Sequence, residues 1–157
     1  MNLKIFLYLV PVFMSACGSG IKSGPNDPNE TKLDTSSKTL PVDLNGCYLM
    51  NIGKDTAKLH LEVEGIHVSG TLSYKRFEKD SNSGTIDGII EGEKIKLWYR
   101  FASEGKISVR EVYFKIVGGK LAEGYGDIGL RNDTAIFKYP STLNYEEKHP
   151  YLKTACE

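Results

Sequence analysis

From Ala57 to Tyr125 apolar and polar residues alternate with a period of two, and short glycine-containing breaks interrupt the alternation. Only an extended backbone turns every second side chain to the same face, so the pattern predicts half-buried strands joined as hairpins. Ala57, Leu59, Leu61 and Val63 alternate with Lys58, His60, Glu62 and Glu64. Beyond Gly65 the apolar series is Ile66, Val68, Gly70, Leu72 and Tyr74. Ile86, Gly88 and Ile90 lead into Gly92-Glu93, then Ile95, Leu97, Tyr99 and Phe101. Arg110, Val112, Phe114 and Ile116 lead into Gly118-Gly119, then Leu121, Glu123 and Tyr125. No stretch from Val42 onward carries a convincing helical period.

Each break sets a register, and a slip of one residue would turn every apolar side chain to the wrong face. A turn at Glu64-Gly65 opposes Val63 to Ile66, Leu61 to Val68 and Leu59 to Gly70. One at Gly92-Glu93 opposes Ile90 to Ile95, Gly88 to Leu97 and Ile86 to Tyr99. One at Gly118-Gly119 opposes Ile116 to Leu121, Phe114 to Glu123 and Arg110 to Asp127. A first strand near Cys47 to Ile52 and a last near Thr134 to Lys138 bring the count to about eight, enough for a sheet to close on itself. The expected fold is all-β, an antiparallel up-and-down meander closing into a small barrel, with a two-sheet β-sandwich as the alternative.

Turns of a meander alternate between its two ends. The tight turns share one end, whose inward residues are aliphatic: Val63, Ile66, Ile90, Ile95, Ile116 and Leu121. The other carries the longer connections, Glu78 to Ser83, Ala102 to Lys106 and Gly129 to Asp133. Tyr74, Arg76, Tyr99, Phe101, Arg110, Tyr125 and Asp127 point inward there. An apolar floor with convergent polar groups at the rim is what a small-molecule site needs. Tyr74, Arg76, Tyr99, Arg110, Tyr125 and Asp127 are therefore the candidate ligand-binding residues. The structural alternative is a cross-strand ion pair of Arg110 with Asp127, beside tyrosines whose hydroxyls meet water.

The N-terminus reads as an address. One basic residue, Lys4, precedes an apolar run from Ile5 to Ala16, with small residues at its end; this is an export-signal pattern, and Pro11 argues against a membrane-spanning helix. Met14-Ser15-Ala16-Cys17 resembles the lipobox of bacterial lipoproteins, with methionine where leucine is usual. The resemblance implies cleavage after residue 16 and lipidation of Cys17, which anchors the chain to a bilayer. The expected location is the bacterial cell envelope, towards the outer membrane if the cell is Gram-negative, because Gly18 is not the aspartate that favours inner-membrane retention in enterobacteria. Residues 17–41 are rich in Gly, Ser, Pro, Asn and Asp and read as a flexible tether. Residues 42–157 make one domain by length.

Twenty lysines and arginines balance twenty aspartates and glutamates, which removes the electrostatic case for nucleic acid. In an exported chain Cys47 and Cys156 are expected to pair as a disulfide; two free thiols are the alternative. No cysteine spacing resembles a zinc site. Asp80, Asn82 and Glu91 partly match a calcium loop, with Gly84 one position early. His60, Glu62 and His67 share an outward hairpin face and could approach a metal. No nucleophile, zinc-protease or phosphate-loop motif occurs, and no catalysis, cofactor or metal is expected.

The meander with longer loops at one end resembles lipocalins and other calycins, whose barrels hold small apolar or amphipathic ligands. The lipocalin Gly-x-Trp signature is absent: Asn45-Gly46-Cys47-Tyr48 has tyrosine near the expected tryptophan, and the single tryptophan, Trp98, faces outward. A second resemblance is to periplasmic lysozyme inhibitors, small lipid-anchored barrels with a Ser-Gly-x-x-Tyr loop; Ser69-Gly70-Thr71-Leu72-Ser73-Tyr74 is one residue longer and lies within a strand. The expectation is a non-catalytic envelope module for a small amphipathic ligand. A filled barrel that binds another envelope protein through its loops is the rival.

Overall fold

A computed structural model describes residues 42–79, 81–103 and 105–156. Cys17, the signal and the tether lie outside the described residues. The described part is all-β, with one short 3-10 turn at Pro140–Thr142 and no α-helix among the described residues.

Seven strands follow one another as an antiparallel meander: β1 (Gly46–Ile52), β2 (Asp55–Glu64), β3 (His67–Lys75), β4 (Asn82–Glu91), β5 (Lys94–Ser103), β6 (Lys106–Val117) and β7 (Lys120–Tyr125). The alternation works as read: Ala57, Leu59, Leu61, Leu72, Ile86, Ile95, Leu97, Tyr99, Phe114 and Leu121 all enter one core. Two expected registers are found. Ile90 opposes Ile95 and Ile86 opposes Tyr99, while Ile116 opposes Leu121 and Phe114 opposes Glu123.

The β2–β3 register differs by two residues. Glu64 pairs with His67, so the turn is Gly65-Ile66 and Leu61 faces Gly70. A shift of two preserves the faces, but it moves Ile66 from the expected floor into the turn, where it is 57% exposed. Gly65 and not Glu64 takes the turn's positive φ. Gly70 also has a positive φ, and a Cβ there would run into the His60 carbonyl, so the close approach of the two strands requires glycine.

The expected loop at Ala102 to Lys106 is a tight turn, since Ser103 pairs with Lys106. The expected loop at Gly129 to Asp133 is the tip of a further hairpin, β8 (Ile128–Arg131) with β9 (Thr134–Phe137). Asn132 and Asp133 both have positive φ, the two-residue turn that matches strand twist. β9 runs parallel to β6 at Val109 and Arg110, which a meander cannot supply, so the simple up-and-down order ends at β7.

The strands β10 (Asn144–Tyr145) and β11 (Leu152–Thr154) complete one mixed sheet of 11 strands. A single sheet replaces the sandwich alternative. β1 and β7 do not pair directly; instead the C-terminal segment bonds to both. Asn144 and Tyr145 pair with β7, Tyr151 exchanges two backbone hydrogen bonds with Leu121, and Leu152–Thr154 pair with β1. All-β is the part of the expected fold that the structure carries.

Cys47 and Cys156 are joined as a disulfide with Cα atoms 5.2 Å apart, pinning that segment to β1.

Candidate functional site

β6 and β7 pair only from Phe114–Glu123 to Val117–Lys120. Beyond Phe114 the two strands part, and β6 takes β9 as its neighbour in place of β7. A cavity of about 380 Å³ lies at this parting, lined by Arg76, Arg110, Glu123, Tyr125, Ile128 and Phe137 among others.

Arg110 stands on the inner face in line with Val112 and Phe114. Its guanidinium carbon lies 4.9 Å from the centre of the Tyr74 ring, 5.4 Å from Tyr99 and 5.6 Å from Phe101. The Tyr99 and Phe101 rings stack at 4.7 Å, and Tyr74 meets Tyr99 edge-on at 6.0 Å. Three ring faces offer a planar cation a favourable quadrupole field. Arg110 Nε is nevertheless buried without a hydrogen-bond partner, and leaving such a donor unpaired costs about 1–3 kcal/mol or more.

The expected partner is elsewhere. Among the described residues no ion pair joins Arg110 to Asp127. Arg110 opposes Tyr99 across β5 and Ala135 across β9, and Asp127 is an exposed residue whose carbonyl accepts from Lys138 N. The hairpin logic that opposed Arg110 to Asp127 assumed that β6 and β7 stay paired to their ends, and β9 prevents it.

Glu123 is the carboxylate that does face the interior, at 7% exposure. The Tyr74 hydroxyl donates to its Oε1 at 2.6 Å, and the Tyr151 hydroxyl donates to its Oε2 at 2.7 Å. Burial, then the Glu123 charge, push both phenols well above their ordinary ionisation range, with Arg110 opposing at Tyr74. Burial pushes the Tyr99 phenol up to about 12, again against the pull of Arg110. Its hydroxyl donates to Asn82 Oδ1 at 2.9 Å. These tyrosines are protonated hydrogen-bond donors at neutral pH and have no use as bases.

The cavity's outer wall hangs on Glu111. This buried residue accepts from Phe137 N at 2.8 Å and lies 3.4 Å from Lys96 Nζ. Phe137 packs with Tyr113 and Leu143 in a second small cluster.

Of the six candidate ligand-binding residues, Tyr74, Tyr99 and Arg110 meet in one aromatic-guanidinium group. Arg76 and Tyr125 border the same cavity, with Arg76 5.9 Å from the Tyr74 ring. Asp127 does not belong to the lining. The calcium-loop reading fails on geometry: Asn82 and Glu91 are the first and last residues of the ten-residue strand β4, and Asp80 lies outside the described residues. His60, Glu62 and His67 are not gathered as a metal-binding group among the described residues. Tyr151 and Glu111 were not legible as site residues. Tyr151 follows Pro150 in a segment without periodicity, and Glu111 reads as an ordinary outward strand residue.

No protein-family model, no curated protein and no solved structure matches this chain.

Proposed function

We propose that the domain is a non-catalytic binding module of the bacterial cell envelope, held on the membrane by lipidated Cys17, that captures a small amphipathic ligand with an anionic end. The observation that carries this is the buried, unpartnered Nε of Arg110 beside a cavity of about 380 Å³. A carboxylate or phosphate entering there would find that donor and the Arg76 guanidinium, and planar forks suit such oxyanions. Ile128, Phe137 and the Tyr125 ring offer apolar surface to the rest of the ligand.

The proposal takes the barrel in a specific form. The C-terminal segment bonds to β7 on one side and β1 on the other, so the sheet would wrap with that segment as its seam. Tyr74, Tyr99 and Tyr151 occupy the interior itself. The ligand then enters at the β6–β7 parting and not deep in a calyx. That same packed interior favours the rival reading, a filled barrel that works through its outer loops.

The experiment is native mass spectrometry of the full chain carrying Cys17→Ser, exported to an oxidising periplasm. Bound mass that is lost on denaturation, and is absent from Arg110→Ala at nearly unchanged thermal stability, supports ligand capture. Arg110→Ala that lowers the melting temperature and leaves any bound mass unchanged sinks it in favour of the filled barrel.

A further inference from the structure

The fold brings a third residue to the disulfide. In the β1–β2 register Cys47 pairs with His60, so both side chains project from the same outer face. The disulfide adds Cys156 to that face. One ligand atom from each of Cys47, His60 and Cys156 lies within 4.8 Å of the other two. Sequence separation hides this, because the three residues come from different strands or segments and match no ligand-spacing motif.

We propose that Cys47, His60 and Cys156 form a metal site masked by the disulfide: once a dithiol opens the bridge, two sulfurs and one imidazole hold a zinc-type cation. The dithiol gives two electrons and two protons to the S–S bond, leaving two protein thiols, and becomes a disulfide itself. The cation then displaces both thiol protons into water and takes the neutral imidazole as its third ligand.

Three features favour this over a purely structural bridge. Cys156 is exposed while Cys47 and His60 are half-buried, so a reductant reaches one sulfur directly and the site is not open water. Two sulfurs on one tetrahedral zinc stand about 3.8 Å apart, given metal–sulfur bonds of about 2.3 Å. The required parting is small, and the strand that ends two residues before Cys156 can supply it: Leu152–Thr154 are all exposed and pair only with β1. A cleft of about 400 Å³, lined by His60, Thr71 and Ser73 beside both cysteines, leaves a fourth position for water or an outside ligand. Sulfur with imidazole selects zinc(II) or copper(I) over magnesium or calcium. Bridge and metal exclude one another, so the site is occupied only under reducing conditions.

The test uses the full chain carrying Cys17→Ser, reduced by a dithiol that is then removed without air, and titrated with cobalt(II) as the coloured stand-in for zinc. One equivalent should bind with thiolate-to-cobalt charge-transfer absorption and tetrahedral bands, and zinc should displace it. The oxidised chain should show neither signal. His60→Ala should change the spectrum and weaken binding at least about 10-fold, since even outer partners of a metal site bring 10–100-fold losses. Absence of charge-transfer absorption in the reduced chain overturns the proposal, as does a His60→Ala chain with unchanged spectrum and affinity. Circular dichroism follows the fold throughout; a reduced chain that unfolds and does not regain its β signal with zinc also overturns it.

Discussion

Tyr151 reaches from the C-terminal segment into the core and donates its hydroxyl to Glu123 Oε2 at 2.7 Å, while Tyr74 holds the other oxygen. The residue that seats the segment against β7 thus also satisfies the buried acid of β7. Its ring meets Phe114 edge-on at 5.1 Å. Tyr151→Phe keeps the packing and removes one donor from a buried carboxylate. Hydrogen bonds to charged groups contribute about 1.5–3 kcal/mol, so denaturant unfolding should show a loss of that order. Tyr74→Phe should cost a similar amount, and the double variant should not be additive, because both hydroxyls serve one carboxylate.

Alkaline pH should destabilise the domain before it destabilises an average surface. The folded pKa of Tyr99 stands at about 12 against an ordinary 10, raised by burial. Its stabilising contribution is present in full below about pH 10 and is lost as pH rises towards 12, because the unfolded phenol ionises first. Tyr74 and Tyr151 are raised as well and act in the same direction. Unfolding free energy should therefore fall between pH 10 and 12, by up to about 1.4 kcal/mol per pH unit for each such tyrosine. Tyr99→Phe should flatten that slope measurably; an unchanged slope would show that Tyr99 ionises freely in the folded chain.

Much of the inner face was legible because alternation reports burial directly. Leu59, Leu61, Leu97 and Phe114 are where the period of two places them, and the hairpins at Gly92 and Gly118 carry their own registers. What could not be read was long-range pairing. Nothing in Ile128 to Phe137 says that β9 joins β6 in parallel, and that single contact displaces Asp127 from Arg110. Tyr151 and His60 share this character, since each matters through residues distant in sequence. The even slip at Gly65 shows a subtler limit: two registers two residues apart bury the same face, so only the turn's backbone chooses between them.

The disulfide closes a large loop, with its cysteines 109 positions apart. On chain-entropy grounds the double variant Cys47→Ala/Cys156→Ala should lose about 2–5 kcal/mol, chiefly through a more expanded unfolded chain. The loss should appear as a lower denaturation midpoint in oxidised samples. Reduced wild type without metal should approach the variant's midpoint; a bridge-free chain as stable as the oxidised one would assign the cysteines a role other than staple.

The proposed lipidation of Cys17 predicts a sharp partition. The native chain should sediment with membranes, resist salt extraction and take up a labelled fatty acid. Cys17→Ser should lose the label and move to the soluble fraction, since the proposed acyl chains are what hold it on the bilayer. Label retained on Cys17→Ser would exclude this cysteine as the attachment point.

Glu111 links the stability of the outer hairpin to the cavity it encloses. Its carboxylate accepts from Phe137 N and faces Lys96, while Phe137 and Ile128 line the cavity around Arg110. Glu111→Ala leaves that buried amide unpaired, at a cost of about 1–3 kcal/mol. The strain should concentrate in β8 and β9, which hold to the sheet through only two parallel pairs, at Val109 and Arg110. Hydrogen exchange should accelerate across residues 128–137 while β2 to β5 remain protected. Under ligand capture the same variant should release its ligand faster, because one apolar wall loosens around an unaltered Arg110. Accelerated exchange with unchanged ligand retention would place the ligand away from the β6–β7 parting, and would leave the arginine as the cation of an aromatic cluster that stabilises the interior.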